Sequence, residues 1–337
     1  MAIWFPWIKF AACATLIGFA GVRLSRYGDI IAEKSGIGAS IVGLLLLATV
    51  TSLPELITGI GAVALADVPD IALGNLLGAC LMNLAMIVVL DLVYREQSIY
   101  TKAGHGHILS AAFGLIILAF VALNLVFAAH GVTLAVGHVG LYSPVVVVLY
   151  VAAVNVVFRF ERRQRAEYVQ ERAERYPGVT LREALWRYAA AAAVVVAAAL
   201  YLPFAADELA TQMHWSDSFV GTFLVAMATT LPELTVTIGA LRIGAVDLAI
   251  GNLLGSNLFN LAILAVDDLF YLPGPLLAAV SPIHLVSALS AMMMAGLAIA
   301  GLLYKPAGRL LGTVGWISLL MIWVFGVNVV FLFFFGG

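Results

Sequence analysis

Apolar runs alternate along the chain with short connections that hold most of the polar and charged side chains. A run of about 20 apolar residues is long enough to cross a bilayer as an α-helix. The first run has no basic segment ahead of it and no clear cleavage site, so we expect a retained helix and not a signal peptide. In all, ten runs are predicted to span a membrane, at about residues 3–22, 38–65, 69–93, 105–128, 139–158, 188–206, 217–241, 246–270, 276–303 and 310–334.

Composition supports the same fold class. Of the 337 residues, 63% are hydrophobic and 11% are charged, which excludes an ordinary soluble domain. The net charge of −2 gives no indication of nucleic acid as a partner. Cys13 and Cys80 lie in apolar runs without metal-ligand spacing, so we expect small buried residues there. The sequence therefore predicts an all-α polytopic membrane protein, with the lipid bilayer as a partner.

Charged residues are distributed unevenly between the connections. Sixteen of the 17 basic residues follow odd-numbered spans, and the exception is Lys9. Half of these sixteen lie in one polar segment, 159–187, which we interpret as a charged helical linker; a regulatory segment is the alternative. By the positive-inside rule these connections are cytoplasmic, and both termini face outward. We expect an integral protein of a prokaryotic plasma membrane.

Two stretches of the chain repeat the same residues. Leu-Pro-Glu-Leu, Gly-Asn-Leu-Leu-Gly and a later asparagine recur with an offset of 178 residues through the glutamates and 177 after them. Equivalent spans are five apart, and an odd number makes the two copies cross the membrane in opposite directions. Such inverted repeats are typical of secondary transporters with a site near the midplane. The predicted organisation is a five-helix half at 1–158 with its repeat at about 37–90, the linker at 159–187, and a five-helix half at 188–337 with its repeat at about 216–266.

Each repeat places a hydroxyl pair, a proline and a carboxylate inside an apolar run. A proline removes one backbone N–H and frees the carbonyl four residues earlier, so each helix is predicted to loosen there. Glu55 and Glu233 are the only two of the 19 acids that lie mid-span, and a carboxylate at that depth is a functional-site candidate. A protonated, hydrogen-bonded buried pair is the alternative. The two motifs are Thr51-Ser52-Leu53-Pro54-Glu55 and Thr229-Thr230-Leu231-Pro232-Glu233.

The chemistry of these residues favours a hard cation. Carboxylate oxygens suit Ca²⁺ or Na⁺, and two carboxylates match one divalent or two monovalent ions. Thr51 and Thr229 lie one turn before their glutamates on the same helix face, and Ser52 and Thr230 flank that face. The alternative for each hydroxyl is a hydrogen bond to its own helix.

The second member of each hairpin carries a polar stripe. Its residues, spaced by four, are Asn75, Ala79 and Asn83 in the first repeat, and Asn252, Ser256 and Asn260 in the second. We favour cation ligation for Asn83 and Asn260, whereas interhelical hydrogen bonding explains Asn75 and Asn252 at least as well. The neighbouring glycines allow close helix packing.

The remaining polar residues indicate no enzyme. The six histidines lie in connections or near span ends, where we expect interfacial residues; a pH sensor at His105 and His107 is the alternative. No metalloprotease, nucleophile-elbow or phosphate-loop motif is present, and the mid-span site has no nucleophile–base pair.

The two hairpins resemble the α-repeats of the calcium/cation antiporter superfamily, most closely its sodium/calcium exchanger branch. Thr51–Glu55, Gly74–Gly78 and Asn83 carry the resemblance, together with their second-half partners. It implies alternating-access exchange of Ca²⁺ for Na⁺, without a cofactor, at a cluster of ion sites. In the family, positions matching Glu55 and Glu233 bind ions centrally, and those matching Thr51 and Thr229 assist, mainly for Ca²⁺. Carbonyl or hydroxyl ligands of the flanking Na⁺ sites match Ala48, Ser52, Ala226, Thr230 and Ser256.

Four positions bear on which ions move. Ala79 stands where the family's first repeat normally has serine, so one flanking Na⁺ site is expected to lack a ligand. Asn260 replaces the aspartate of potassium-dependent relatives, which argues against K⁺ transport. Proton/calcium exchangers usually carry an acid near Gly78 and Gly255, and none is present here.

The expected function is therefore Ca²⁺ export against Na⁺ entry. One alternative is the same scaffold driven by H⁺ or carrying another divalent ion such as Mg²⁺. Another is a passive cation channel, which needs a continuous pore.

Overall fold

A computed structural model describes residues 4–34, 51–94, 97–165, 178–242, 244–306, 308 and 314–336. Within these ranges the chain is almost entirely helical, and the only strands are the short antiparallel pair Ala135–Val136 and Val139–Gly140. The helices are α1 (Trp4–Lys34), α2 (Leu53–Gly61), α3 (Pro69–Val93), α4 (Ile99–Lys102), α5 (Gly106–Ala129), α6 (Tyr142–Arg165), α7 (Leu181–Met213), α8 (Asp217–Phe219), α9 (Ala226–Thr229), α10 (Leu231–Arg242), α11 (Val246–Phe270), α12 (Leu276–Ala279), α13 (His284–Tyr304) and α14 (Trp316–Phe335). Two π-helical segments, Ala62–Ala66 and Val220–Val225, follow α2 and α8.

Among the described residues, eight helices are long and apolar enough to cross a membrane: α1, α3, α5, α6, α7, α11, α13 and α14. The segment Asp217–Arg242 forms a ninth span that bends by 47° between Thr229 and Leu231. The predicted span 38–65 lies partly outside the described residues, and its described end is the shorter apolar helix Leu53–Ala66. The polytopic helical fold is confirmed, and the described helices are compatible with ten spans.

Several helix bounds differ from the apolar runs. The helix predicted at 3–22 continues to Lys34, because Leu24 and Ile30 extend its buried face. The helix predicted at 188–206 begins at Leu181, where the Thr180 hydroxyl caps it by accepting a hydrogen bond from the backbone N–H of Glu183. Both extensions reach beyond the hydrophobic runs from which the spans were predicted.

The single span predicted at 276–303 is two helices. The short helix α12 ends at Ala279, and α13 begins at His284. Pro282 lies between them, and since proline has no backbone N–H and disfavours a helical residue before it, the chain turns there. This turn brings His284 to the start of a membrane span.

The two helices after the proline motifs occupy the centre of the molecule. In both α3 and α11, 78% of the most apolar stretch is buried, against 17–50% in the other helices that could span the membrane. Their buried faces include the stripes of asparagine predicted from the sequence. The polar stripes therefore lie inside protein and not against lipid.

Asp91, near the end of α3, holds the start of a helix from the other half of the chain. Its carboxylate accepts backbone hydrogen bonds from Ile99 and Gly315, each at 3.0 Å. The hydroxyls of Ser98 and Ser318 donate to the same carboxylate at 3.1 and 2.9 Å. The first half is thereby fixed to the N-terminus of α14.

Asp268 makes the equivalent contacts in the second half. Its carboxylate accepts backbone hydrogen bonds from Leu276 at 2.7 Å and Gly140 at 2.8 Å, and the hydroxyls of Tyr142 and Ser143 also donate to it. Here the second half holds the N-terminus of α6 in the first. Equivalent aspartates of the two repeats thus each hold the start of a helix in the opposite half, as the inverted repeat requires.

Two histidine–aspartate pairs follow the same exchange. His284 Nε2 lies 2.9 Å from Asp70 Oδ1, and His107 Nε2 lies 3.0 Å from Asp247 Oδ1. In each pair, the backbone N–H three residues before the histidine also donates to the aspartate, at 2.7 Å. His284 is fully buried, and it lies at the first residue of α13, near a span end as expected.

Both ends of the described chain lie at one end of the bundle. The ring of Trp215 packs edge-on against Trp7 and Phe333, at centroid distances of 5.9 and 6.0 Å. Close by, Lys9 forms an ion pair with Glu208 at 2.7 Å. The acids at this end, which we call the acidic end, include Asp70, Asp207, Glu208 and Asp217, and Asp217 interacts electrostatically with Asp70 and Asp207.

Candidate cation-binding site

The two proline motifs break their helices in the same way. Ser52 has φ −86° and ψ 12°, and Thr230 has φ −82° and ψ 4°, so both leave the helical region immediately before Leu-Pro. Pro54 and Pro232 then lie in the first turn of α2 and α10, where a missing N–H costs no helical hydrogen bond. Each glutamate follows its proline directly, so the break sets the position of the carboxylate.

Glu55 and Glu233 are completely buried. Neither carboxylate oxygen of Glu55 has a hydrogen-bond partner among the described residues, and the same is true of Glu233 Oε2. The two side chains are close enough to interact electrostatically, but they are not hydrogen bonded to each other.

Hydroxyl groups connect the two motifs across the repeats. The Ser52 hydroxyl donates to Glu233 Oε1 at 3.1 Å. The Thr51 hydroxyl lies 3.4 Å from that of Ser256 on α11. Residues from both broken helices and from α11 are thus assembled around one buried region.

The hydroxyls of the second motif are used differently. Thr230 donates to the Ala226 carbonyl within its own helix at 2.8 Å, which was the alternative expected for each hydroxyl. Thr229 lies 3.2 Å from the same carbonyl and donates to Asn75 Oδ1 at 3.0 Å. The Ala226 carbonyl is therefore already hydrogen bonded, and Ala48 lies outside the described residues.

Ala79 explains part of this asymmetry. It is fully buried at the position that matches Ser256, and it has no hydroxyl to offer Thr229. Thr229, the counterpart of Thr51, instead bonds to Asn75. The second repeat's Asn252 donates to Thr237 Oγ1 at 3.3 Å. Asn75 and Asn252 thus both make hydrogen bonds between helices. This was one of the two roles expected for them, the other being cation ligation.

The asparagines favoured as ligands are also buried. Neither polar atom of the Asn260 amide has a hydrogen-bond partner within the described ranges. Asn83 donates from Nδ2 to Asn257 Oδ1 at 3.0 Å, while its own oxygen has no such partner there. An amide oxygen is a neutral ligand of the kind that Ca²⁺ accepts.

Asn257 was not identified from the sequence. Its amide donates to the Cys80 carbonyl at 3.3 Å, and the Cys80 thiol lies 3.9 Å from the Asn257 carbonyl. With the offset of 177 residues, Cys80 and Asn257 are equivalent positions of the two repeats. Because equivalent residues contact each other, the pseudo-twofold axis that relates the two repeats passes between α3 and α11. In the sequence, only the alignment of the repeats could have indicated this contact.

Close backbone packing holds α3 against the second repeat. A Cβ atom added to Gly78 would lie 2.1 Å from the Thr222 carbonyl oxygen. One added to Gly74 would lie 3.0 Å from the Thr222 backbone nitrogen. These two glycines therefore serve close helix approach, as expected.

The chemistry of the assembled site is that of hard oxygen ligands. No group of three or more His, Cys, Asp or Glu side chains suited to a metal occurs among the described residues. The site instead combines two carboxylates with hydroxyl and amide oxygens. That set suits Ca²⁺ or Na⁺ and suits soft transition metals poorly.

The fold and site define a polytopic helical membrane protein with inverted repeats and paired central carboxylates. The family model for sodium/calcium exchanger protein matches residues 5–158 and 183–334. The chain belongs to this family, and it is a transporter and not an enzyme.

The individual proteins that are similar to this chain include an inner membrane protein and two cation exchangers. The inner membrane protein YrbG of Escherichia coli is 27% identical over 261 residues, 77% of this chain and 78% of that protein. The sodium-calcium exchanger NCX_Mj has a similar fold, with a TM-score of 0.61 and 20% identity over 98% of this chain and 99% of the other. The H⁺/Ca²⁺ exchanger CAX gives a TM-score of 0.69 and 14% identity over 97% of this chain and 81% of the other.

Proposed function

We propose that this protein is a secondary-active antiporter that exchanges Ca²⁺ for Na⁺ by alternating access. The observation that supports it most directly is the buried pair Glu55 and Glu233, contributed by two inverted repeats and linked through Ser52. Two carboxylates balance one Ca²⁺ or two Na⁺. Because the same ligands serve either load, only one of the two occupies the site at a time.

The ligand roles follow the arrangement of the repeats. Glu55 and Glu233 bind the ions centrally, with Asn83 and Asn260 offering amide oxygens. The hydroxyls of Thr51 and Ser256 contact each other, and Ser52, Thr229 and Thr230 contribute further hydroxyls. The Ala226 and Ala48 carbonyls complete the flanking Na⁺ sites.

Na⁺ is the proposed driving ion, and H⁺ is the second candidate. The neutral oxygens around the glutamates suit Na⁺, and glycine occupies positions 78 and 255, near which proton/calcium exchangers carry an acid. In favour of H⁺, Ala79 removes one oxygen from the first-repeat side of the cluster.

The proposed orientation puts both termini outside the cell and the segment 159–187 in the cytoplasm. The grouping of basic residues in the connections after odd spans supports this. The acidic end of the bundle, which includes both ends of the described chain, then faces outward.

Radiolabelled Ca²⁺ uptake into proteoliposomes tests the function. Vesicles loaded with Na⁺, K⁺ or choline are compared, each with and without a pH gradient. Uptake that requires internal Na⁺ is expected. Uptake that follows the pH gradient in choline vesicles would assign H⁺ as the driving ion, and uptake without any counter-ion gradient would indicate a channel.

A further inference from the structure

Besides Glu55, one more buried acid has two carboxylate oxygens without a hydrogen-bond partner among the described residues. Asp267, in the last turn of α11, is completely buried. Neither oxygen of its carboxylate has a hydrogen-bond partner among the described residues. A buried carboxylate without hydrogen bonds or a counter-ion is strongly unfavourable, so it requires a physical explanation.

The contacts of Asp267 align it with the central glutamates. A Cβ atom added to Gly59 would lie 2.5 Å from both carboxylate oxygens, so Asp267 lies directly over the backbone of α2. Gly59 is one turn beyond Glu55 on α2, and Asp267 is two turns beyond Asn260 on α11. The carboxylate therefore continues both polar helix faces toward one end of the bundle.

That end is the acidic end. Tyr271, just after α11, interacts electrostatically with Asp67 and Asp70. Asp70 in turn lies near Asp217, beside the chain termini. Asp267 is therefore on the acidic-end side of Glu55 and Glu233.

The other repeat has no such acid. With the offset of 177 residues, Asp268 corresponds to Asp91, and both have structural roles in holding helix ends. Asp267 corresponds to Leu90, a buried apolar residue. The internal symmetry of the fold therefore accounts for Asp268 and leaves Asp267 unexplained.

We propose that Asp267 binds a hard cation, Ca²⁺ or Na⁺, at a second station between the Glu55–Glu233 site and the acidic end of the bundle. The proposal rests on the proposed function, since the ion is one in transit. Gly59 leaves room for the carboxylate against α2. Ions reaching the central site from the acidic end pass this station, whereas ions from the opposite end do not.

Terbium binding tests the station independently of transport. Tb³⁺ is a hard cation that favours oxygen ligands, and its luminescence is excited through protein tryptophans. The purified full-length Glu55→Gln/Glu233→Gln variant should still bind Tb³⁺. Adding Asp267→Asn should weaken this binding about ten-fold or more, equivalent to about 1.4 kcal/mol. Displacement by Ca²⁺ or by Na⁺ then identifies the ion that the station prefers.

Two further variants keep the test decisive. Gly59→Ala places a methyl group on the carboxylate and should weaken Tb³⁺ binding without removing a charge. Asp267→Leu introduces the residue found at the equivalent position of the first repeat. It should also weaken Tb³⁺ binding, in a protein that remains folded. Asp207→Asn, which removes another acid of the acidic end, should leave binding unchanged.

The station is refuted if Tb³⁺ binding is unaltered by all three changes at Asp267 and Gly59, in both the wild-type and the Gln/Gln backgrounds. If Asp207→Asn weakens Tb³⁺ binding as much as Asp267→Asn does, the effect comes from general negative charge at the acidic end. That result would also refute the station. Absence of Na⁺-dependent Ca²⁺ uptake by the wild type, with Asp267-dependent Tb³⁺ binding intact, would overturn the exchange function and not the station.

Discussion

The central glutamates differ in their hydrogen bonds, although the motifs that carry them are spelled almost alike. Glu233 accepts a hydrogen bond from Ser52, whereas both oxygens of Glu55 lack one within the described residues. In the proposed exchange, both carboxylates nevertheless balance the charge of the bound ions. A charge without its counter-charge at such a site costs several kcal/mol.

Glu55→Gln and Glu233→Gln should therefore each reduce Ca²⁺ exchange by about 100-fold or more, at about 1.4 kcal/mol per decade. Glutamine keeps the size of the side chain, so the variants should remain folded. Exchange is measured in proteoliposomes, with Asp207→Asn as a control that removes a carboxylate elsewhere. Near wild-type exchange in either single variant would contradict the paired-carboxylate site.

Ala79→Ser should strengthen the Na⁺ dependence of exchange. The added hydroxyl restores the counterpart of Ser256, next to a threonine that now bonds to Asn75. A neutral contact of this kind is worth about 0.5–1.5 kcal/mol, or roughly 2- to 13-fold in affinity. The half-saturating Na⁺ concentration and the Hill coefficient are compared in both versions. If they do not change, while Ser256→Ala impairs Na⁺ dependence sharply, Ala79 does not border an ion site.

Residue types alone predicted much of the cluster but could not separate neighbours. Asp267 and Asp268 are adjacent acids at the end of one apolar run, yet only Asp268 has hydrogen-bond partners in the described structure. Asn257 is one of several amides in α11, and its contact with Cys80 depends on how the two halves meet. Such distinctions depend on tertiary contacts that a single run of sequence does not contain.

Among the helices, α3 can pack closely against the second repeat because two of its residues, Gly74 and Gly78, have no side chain. Gly78→Ala would force a methyl group against the backbone carbonyl of Thr222, which has no freedom to rotate away. Overpacking of this kind costs about 1–3 kcal/mol. Thermal unfolding in detergent should therefore show a lower midpoint.

Gly114→Ala provides the matched control. Gly114 also lies in a membrane-spanning helix, but an added Cβ atom there would meet no heavy atom within 4 Å. Alanine favours a helix over glycine by about 1 kcal/mol, so this variant should be as stable as the wild type or more so. Equal losses in both variants would show that the effect comes from the helix and not from the contact with Thr222.

The two histidine–aspartate pairs should differ in strength. The side chains of His284 and Asp70 are 0% and 27% exposed, and those of His107 and Asp247 are 7% and 64% exposed. Removing a partner from the more buried pair costs about 1–3 kcal/mol. A pair with one solvent-exposed partner, as Asp247 is, contributes less, about 0–1 kcal/mol. His284→Ala should thus lower the unfolding midpoint more than His107→Ala, and the reverse order would contradict this explanation.

Helix existence was predictable, whereas some helix bounds were not. The prolines, glycines and apolar runs located α3 and α11 at the predicted residues. The predicted span 276–303 is divided into two helices at Pro282. Hydrophobicity averaged over the whole run does not reveal this break. The capping contact of Thr180 lies in a polar stretch that carries no hydrophobic pattern.

The molecule as a whole is held together by contacts that one half makes for the other. Asp91 and Asp268 each fix the first turn of a helix that belongs to the opposite half. The sequence predicted the inverted repeat from an odd offset in spans, but it could not show which elements exchange. That exchange makes neither half complete alone, because each leaves polar helix ends for the other to satisfy.

The orientation of the molecule in the membrane is the final prediction. The ends of the described chain meet at the acidic end around Trp215, while the basic residues group in connections after odd spans. Since a cytoplasmic excess of Lys and Arg sets orientation, the segment 159–187 should be inside and both termini outside. In a functional variant whose native cysteines are replaced, an impermeant thiol reagent should label Arg172→Cys only in permeabilised cells. A C-terminal tag should be accessible in intact cells. Labelling of both positions from the same side would require an even number of spans between the segment 159–187 and the C-terminus. The inverted arrangement of the two halves has five.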